Sequence, residues 1–174
     1  AVEPILTPLA VDIGHPFPFI SNLSLNLAVS LKHRGKKRSR FVRIKVPPNR
    51  SRWVPVPGGG WVPLEQVIAH NLEQLLPGSE GAEVHYFRLT RGAKDDPWDR
   101  LPRDEDDLDL APGSLIGMVS TELTARKFAG VSRLQVSAGM PKSMRQWLAE
   151  QLQSDSDDVI SMASPLALTD LVTY

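Results

Sequence analysis

The amino-acid sequence predicts a single α+β domain, with helices packed on a mixed, mainly antiparallel sheet. Apolar and polar residues alternate one by one over residues 23–31 and over residues 83–91, a period typical of β-strands. Apolar residues recur at helical spacing after Pro63 and after Pro141. The resulting order of elements, β-β-β-α-β-α-β-α-β, favours this architecture.

The N-terminal part of the chain predicts an extended arm followed by a long hairpin. Residues 1–20 are rich in proline and aromatic side chains and predict an extended segment packed on a neighbour. In residues 23–31 the apolar side chains occupy the odd positions, which predicts a strand with one buried face and one polar face. Residues 41–46 predict its antiparallel partner, and the basic residues 32–40 form the turn between them.

The middle of the chain predicts a short edge hairpin and then a helix. Pro47 and Pro48 cannot donate hydrogen bonds to a sheet, so they end the second strand. Trp-Val pairs on either side of residues 57–60, which read Pro-Gly-Gly-Gly, predict a tight hairpin. Pro63 suits the first turn of a helix whose apolar stripe reaches Leu76.

The C-terminal part predicts an acidic loop followed by two helices and two strands. Residues 92–113 contain eight acidic residues and three prolines, a composition typical of a solvated loop. Residues 114–127 predict a helix, and residues 131–136 predict a strand. Pro141 opens a further helix, and residues 159–162 predict a short last strand.

Composition limits the class of protein. A length of 174 residues suits one domain, and the 41% hydrophobic and 23% charged residues are ordinary for a globular protein. Twenty basic residues balance twenty acidic ones, and the absence of cysteine excludes disulfides and Cys-ligated metal sites. No apolar run approaches the ~20 residues that span a bilayer. These two absences predict a soluble, cytoplasmic protein. Because the chain starts without Met and stops where a helix begins near Thr169, we also expect a domain cut from a longer protein.

No segment of the sequence has the pattern of a complete active site. Residues 58–60 are glycines, but a phosphate loop needs Gly-Lys-Ser/Thr before a helix, and Trp61 follows instead. No serine has the context of a nucleophile elbow, and the acidic loop lacks the spacing of a calcium loop. The histidines have no metal-ligand spacing and favour packing or surface roles; they are His15, His33, His70 and His85. The sequence therefore predicts no catalytic residue and no metal site.

Basic residues are concentrated in the first hairpin. Ten of the twenty Lys and Arg residues fall within residues 32–52. Such a local field attracts polyanions through counterion release, although a charged hairpin tip is also typical of a loop that only faces water. The residues predicted to contact an anion are Lys36, Lys37, Arg38, Arg40, Arg43 and Lys45.

Several segments, taken together, resemble one known family. The most specific is the Pro-Phe-Pro-Phe-Ile-Ser-Asn-Leu-Ser-Leu-Asn stretch of residues 16–26. The other main segments are Arg-Ile-Lys-Val-Pro at 43–47, Trp-Val-Pro-Leu-Glu-Gln-Val-Ile at 61–68, Phe-Arg-Leu-Thr-Arg at 87–91 and Leu-Thr-Asp-Leu at 168–171. In this order, and over nearly the whole chain, they are similar to the middle, or head, domain of the large bacterial polyphosphate kinases.

The resemblance implies a parent enzyme that reversibly transfers the terminal phosphate of ATP to inorganic polyphosphate through a phosphohistidine, with Mg²⁺. In this family the nucleophilic histidine lies in C-terminal catalytic domains. Residues 1–174 would therefore form an internal structural and dimerisation domain, inactive alone and without a cofactor of its own. The alternative is a polyphosphate-binding module that uses the basic residues 32–52.

The resemblance also implies partners and a location. The partners are the other domains of the same kinase, a second copy in a homo-oligomer, and polyphosphate. Nucleic acid is not expected as a partner, because the sequence has no helix-turn-helix, RRM or zinc pattern. The location is the cytoplasm, with peripheral association of the full-length enzyme at the membrane. Two features depart from the family: residues 92–113 are longer than expected, and the charge of the 32–40 turn lies where the family varies.

Overall fold

The computed structural model describes residues 6–11, 17–32, 39–92 and 130–168. Within these ranges the chain forms a six-stranded sheet, a two-stranded sheet and three α-helices, which confirms the predicted α+β class. The strands are β1 (Leu9–Val11), β2 (Leu25–Lys32), β3 (Ser39–Lys45), β4 (Trp53–Pro55), β5 (Trp61–Pro63), β6 (Glu83–Arg91), β7 (Val131–Ser137) and β8 (Val159–Met162). The helices are α1 (Leu64–His70), α2 (Leu72–Leu75) and α3 (Lys142–Leu152).

The large sheet is mixed and mainly antiparallel, as predicted. Its strand order is β1-β3-β2-β6-β7-β8, and of these strands only β7 and β8 pair in parallel. Strands β2 and β3 form the predicted hairpin, in register from Asn26 opposite Lys45 to Lys32 opposite Ser39. Strand β6 pairs with the other edge of β2, so β2 lies inside the sheet. The parallel pair is connected through α3, the crossover that parallel strands need.

Strand β2 is buried on both faces, although its alternation predicted only one buried face. Leu27 and Val29 share an apolar cluster with α1 and α2, while Asn26 and Ala28 on the opposite face are buried as well. The Nε of Arg43 donates to Oδ1 of Asn26 at 2.8 Å. The interior of a protein tolerates a buried amide that is hydrogen-bonded, as that of Asn26 is. The polar residues of β2 therefore do not indicate a face exposed to solvent.

Two apolar clusters cover the two faces of the large sheet. One contains Phe87 of β6 together with Leu148 of α3. The other contains Ile44 of β3 together with Ile68 of α1. The sheet is therefore the middle layer of three, and a binding site is left to the ends of its strands.

The N-terminal segment packs on the domain's own sheet where the structure describes it. Strand β1 pairs with β3, with Leu9 opposite Arg43. The ring of Phe17 lies 5.9 Å from the ring of Phe41 and 5.6 Å from that of Trp147, measured between centroids. These residues therefore pack on their own domain, where β1 covers an edge of β3 that would otherwise be unpaired, and packing on a neighbour stays a prediction.

The helix predicted after Pro63 is divided into α1 and α2. The side chain of Asn71 donates from Nδ2 to the carbonyl oxygen of Val67 at 2.8 Å, and the backbone N–H of Asn71 uses the same oxygen at 3.1 Å. A side chain that competes for a helix carbonyl favours a break. The apolar stripe continues through the break, which is why the sequence predicted one helix.

The other predicted elements are confirmed where the structure describes them. Strands β4 and β5 form the edge hairpin, and the three glycines in its turn have φ between 91° and 98°, a region closed to most side chains. Strand β7 extends the predicted 131–136 by one residue, and β8 has the predicted bounds. The turn residues 33–38, the acidic loop beyond residue 92 and the helix predicted at 114–127 lie outside the described residues.

Replacing Leu27 with alanine tests the central position of β2. Leu27 is fully buried, so Leu27→Ala should lower the free energy of unfolding by about 2–5 kcal/mol through lost contacts and a residual cavity. The matched control is Leu9→Ala on edge strand β1, where Leu9 is 37% exposed and the expected loss is below about 1 kcal/mol. Urea unfolding followed by tryptophan fluorescence measures both, and equal losses would contradict the central placement of β2.

Candidate anion-binding site

A basic cleft lies at one end of the large sheet, where β2 begins and β3 ends. Its volume is about 790 Å³. Fourteen of the residues that the structure describes line it: 21–25, 45–48, 50–52, Arg88 and Ala167. Four of the fourteen are Lys or Arg, and none is acidic or aromatic. The cleft therefore offers hydrogen-bond donors and positive charge rather than an acid–base pair.

The rim of the basic cleft is a tight turn over residues 21–24. The carbonyl oxygen of Ser21 accepts from the backbone N–H of Ser24 at 3.3 Å and from its hydroxyl at 2.7 Å. Leu23 has φ 59° and an exposed side chain, a conformation that L-residues adopt only when the surroundings hold it. Its backbone N–H donates to the carbonyl oxygen of Leu89 at 2.9 Å, which anchors the turn on β6. The rim is thus held in one shape.

Strand pairing brings cations to both sides of the first residues of β2. Lys45 lies opposite Asn26 on the β3 side, and Arg88 lies opposite Leu25 on the β6 side. The Nζ of Lys45 lies 3.4 Å from the hydroxyl of Ser21. The guanidinium of Arg88 donates from Nε to the carbonyl oxygen of Leu23 at 3.3 Å and from Nη1 to the side chain of Gln135 at 3.1 Å.

Arg50 adds a further cation from the loop after β3. Pro47 and Pro48 end the strand, as predicted, and the loop carries Arg50 to an exposed position that lines the basic cleft. Among the residues that the structure describes, neither Lys45 nor Arg50 has an ion-pair partner. Their charges are therefore available to a ligand.

Arg52 has a different role at the base of the basic cleft. Its guanidinium binds Glu65 of α1 in two places, with Nε 3.2 Å from Oε2 and Nη2 2.6 Å from Oε1. The same group donates to the carbonyl oxygens of Leu166 and Ala167. Arg52 and Glu65 are only 8% and 4% exposed, so the pair is buried and its charges offset each other. This residue joins α1 to the C-terminal described segment.

The six residues predicted to contact an anion are placed differently from one another. Lys36, Lys37 and Arg38 lie outside the described residues, and Arg40 is exposed at the start of β3. Arg43 is buried against Asn26, and this burial lowers the pKa of its guanidinium from the ordinary value. Of the three described members of the predicted set, Lys45 alone lines the basic cleft.

Arg88 was not among the residues that the sequence predicted to contact an anion. It occurs in a strand that shows only ordinary alternation, far along the chain from the basic hairpin. The pairing of Leu25 with Arg88 is what brings it to the cleft, and no local pattern encodes that register. The resemblance offered a signal, since the Phe-Arg-Leu-Thr-Arg stretch at 87–91 was one of its segments.

The histidines of the described part lie away from the basic cleft. His70 is exposed at the end of α1, and His85 lies in β6. Burial lowers the pKa of His85, while the charge of Glu83 opposes that effect. His15 and His33 lie outside the described residues. No cluster of three or more His, Asp or Glu side chains within the described ranges has the closeness needed to hold a metal ion.

Comparison with known proteins identifies the family. The profile of the polyphosphate kinase middle domain matches residues 1–174. The chain belongs to this family. It is 40% identical to the polyphosphate kinase of Thermosynechococcus vestitus, covering 99% of this chain and 24% of that protein. It is 41% identical to that of Mycolicibacterium gilvum, covering 98% of this chain and 23% of the relative.

A solved structure supports the same fold. The crystal structure of polyphosphate kinase from Porphyromonas gingivalis matches with a TM-score of 0.70 at 20% identity, over 98% of this chain and 23% of that one. This middle domain therefore spans about a quarter of the length of the relatives it matches. Three segments that carry the family resemblance, residues 16–26, 43–47 and 87–91, contribute residues to the basic cleft. Over the described residues, the middle domain has no helix that is both long and apolar enough to cross a membrane.

Replacing Glu65 tests the buried pair beneath the basic cleft. Glu65→Gln leaves the Arg52 charge buried without a counter-charge, so the free energy of unfolding should fall by about 3 kcal/mol. The matched control is Glu150→Gln on α3, where the carboxylate is exposed and the change should stay within about 0.5 kcal/mol. Urea denaturation measures both variants. A Glu65→Gln variant as stable as the control would show that the pair does not hold α1 to the C-terminal segment.

Proposed function

We propose that this middle domain is an internal, non-catalytic part of a polyphosphate kinase. The parent enzyme would reversibly transfer the terminal phosphate of ATP to inorganic polyphosphate. The observation that carries the proposal is that the family profile covers all of residues 1–174 while the chain spans only about a quarter of its relatives. About three quarters of each of these relatives lies outside the middle domain, and that part can hold the groups that react.

The residues of the basic cleft support a non-catalytic role. Transfer through a phosphohistidine needs a histidine beside the phosphate, and no histidine is among the described residues that line the cleft. The cleft supplies lysine, arginine and serine side chains, which bind and orient phosphate groups but do not take part in that transfer as the nucleophile. We therefore place the nucleophile, ATP and Mg²⁺ in other domains of the parent, and we expect the isolated chain to be inactive.

The proposal includes a structural role in a homo-oligomer of the parent. Exposed apolar side chains on the described surface support this role; they are Leu9, Phe19, Leu23, Trp61, Ile160 and Leu168. Strand β8 lies at an edge of the sheet in the described part, and edge strands readily pair with other chains. On the family resemblance, the parent would work in the cytoplasm with peripheral association at the membrane.

Deleting residues 1–174 from the full-length protein tests this role. The deletion should convert a dimer to monomers and abolish ATP-dependent polyphosphate synthesis, because the catalytic parts lose the domain that positions them. Analytical ultracentrifugation and a synthesis assay measure the two effects, with the intact protein as control. A deletion protein that stays dimeric and active would rule out the structural role.

A second candidate function is polyanion binding by the basic residues 32–52. The observation that favours it is the basic cleft, where Lys45 and Arg50 lie without ion-pair partners among the described residues. Positive charge in a depression without acidic side chains concentrates polyanions. Polyphosphate is the polyanion that the name of the family suggests.

The hairpin tip provides one test of this second function. Replacing Lys36, Lys37, Arg38 and Arg40 with Ser should weaken retention on immobilised polyphosphate if the tip contacts the polymer. The slope of log affinity against log salt should then fall by about one for each lost phosphate contact. The unchanged chain is the control. An unaltered affinity and slope would exclude the tip as the contact.

A further inference from the structure

We propose that the basic cleft binds a linear chain of phosphate groups, with Lys45, Arg50 and Arg88 contacting the phosphate oxygens. This inference rests on the second candidate function and moves the contact from the tip of the basic hairpin to its base. It also adds Arg88 of β6, which lies outside the basic segment.

The placement of the three cations suits an extended anion. Lys45 and Arg88 lie on opposite sides of the first residues of β2, because β2 pairs with β3 on one edge and with β6 on the other. Arg50 comes from the loop that follows β3 and lines the same cleft. Charges spread across a cleft in this way contact several groups of a repeating polyanion rather than one isolated ion.

The lining of the basic cleft selects phosphate chemistry. None of the fourteen described residues that line the cleft is acidic, so none of them repels an anion. Arginine and lysine are the side chains that bind phosphate most strongly, arginine through two parallel hydrogen bonds. The volume of about 790 Å³ falls within the range of about 300–1,000 Å³ usual for small-molecule sites. A short stretch of polyphosphate fits these conditions.

The same lining favours an inorganic chain over a nucleotide. Nucleotide bases stack on aromatic side chains, and the described residues that line the cleft include no aromatic side chain. ATP and inorganic tripolyphosphate share the triphosphate group, so the cleft should accept both through that group. Without a partner for the base, ATP gains nothing over tripolyphosphate and carries bulk that the cleft does not contact.

The cleft is held in shape before a ligand arrives. Arg52 and Glu65 fix its base, and the turn at residues 21–24 is anchored on β6 through the N–H of Leu23. Arg88 is positioned by the carbonyl oxygen of Leu23 and by Gln135. A binding site whose groups are already ordered loses less conformational entropy when the ligand binds. This supports the cleft as the binding site.

The test is isothermal titration calorimetry of the complete 174-residue chain with sodium tripolyphosphate. The double variant K45Q/R50Q removes the two cations without ion-pair partners among the described residues and should weaken binding by about tenfold or more, since each charged hydrogen bond is worth at least that factor. The matched control R133Q/K142Q also removes one Arg and one Lys from exposed positions away from the cleft, and its affinity should equal that of the unchanged chain.

Two further arms complete the experiment. Arg50→Gln alone, at an exposed position, serves as a second variant if the double variant is unfolded by circular dichroism, and it should weaken binding several-fold. ATP in place of tripolyphosphate should bind no more tightly than tripolyphosphate does. The hairpin-tip variant should keep most of its affinity.

Each contrary result overturns the assignment. Equal affinities of the cleft variants and the R133Q/K142Q control would remove the cleft as the site. Loss of binding in the tip variant alone would place polyanion binding at the tip and contradict the cleft. Tighter binding of ATP would contradict the inorganic chain as the ligand class. None of these results bears on the deletion experiment, so failure here is distinguishable from failure of the structural role.

Discussion

The buried ion pair between Arg52 and Glu65 joins parts of the chain that are distant in sequence. Arg52 precedes β4, Glu65 lies in the first turn of α1, and the carbonyl oxygens of Leu166 and Ala167 belong to the C-terminal described segment. Burying two charges costs several kcal/mol each unless their hydrogen bonds are made. The guanidinium therefore has to keep the carboxylate and both carbonyls together. Arg52 thus connects helix α1, the base of the basic cleft and the C-terminal described segment.

The pair also explains why the arginine and lysine residues of the basic cleft have two different roles. Because Glu65 offsets the charge of Arg52, Arg52 contributes little positive field to the cleft, and its role is to hold α1 against the C-terminal described segment. The field comes from Lys45 at the end of β3, Arg50 in the loop that follows and Arg88 within β6, all of which line the cleft. A buried supporting cation beneath more exposed binding cations gives a site that is both rigid and attractive to phosphate.

Local patterns predicted most of the elements, and long-range pairing accounts for most of what they missed. The alternation of β2, β3 and β6 encodes strands because side chains alternate between the two faces of a sheet. The same alternation predicted that the polar face of β2 is exposed. This was wrong, because Asn26 is buried with its hydrogen-bond partner Arg43. The break at Asn71 was missed because a continuing apolar stripe conceals a side chain that competes for a helix carbonyl.

The candidate site was only partly predictable for the same reason. The basic segment, residues 32–52, could be recognised from its content of Lys and Arg, and Lys45 within it lines the cleft. Arg43, in the same segment, is buried because β1 pairs along that part of β3 and Asn26 accepts its hydrogen bond. Arg88 enters the site through the register of β2 with β6. Such a register depends on the whole sheet, and a single sequence does not reveal it.

The central claim is that phosphate groups bind at the base of the basic hairpin rather than at its tip. An NMR titration of the ¹⁵N-labelled chain with tripolyphosphate tests this most directly, because each backbone amide reports its own surroundings. The account predicts that shifts concentrate at residues 21–25, at Arg50 and at Ala167, with small changes at 33–38. Shifts confined to residues 33–38, or no shifts at the cleft, would contradict it.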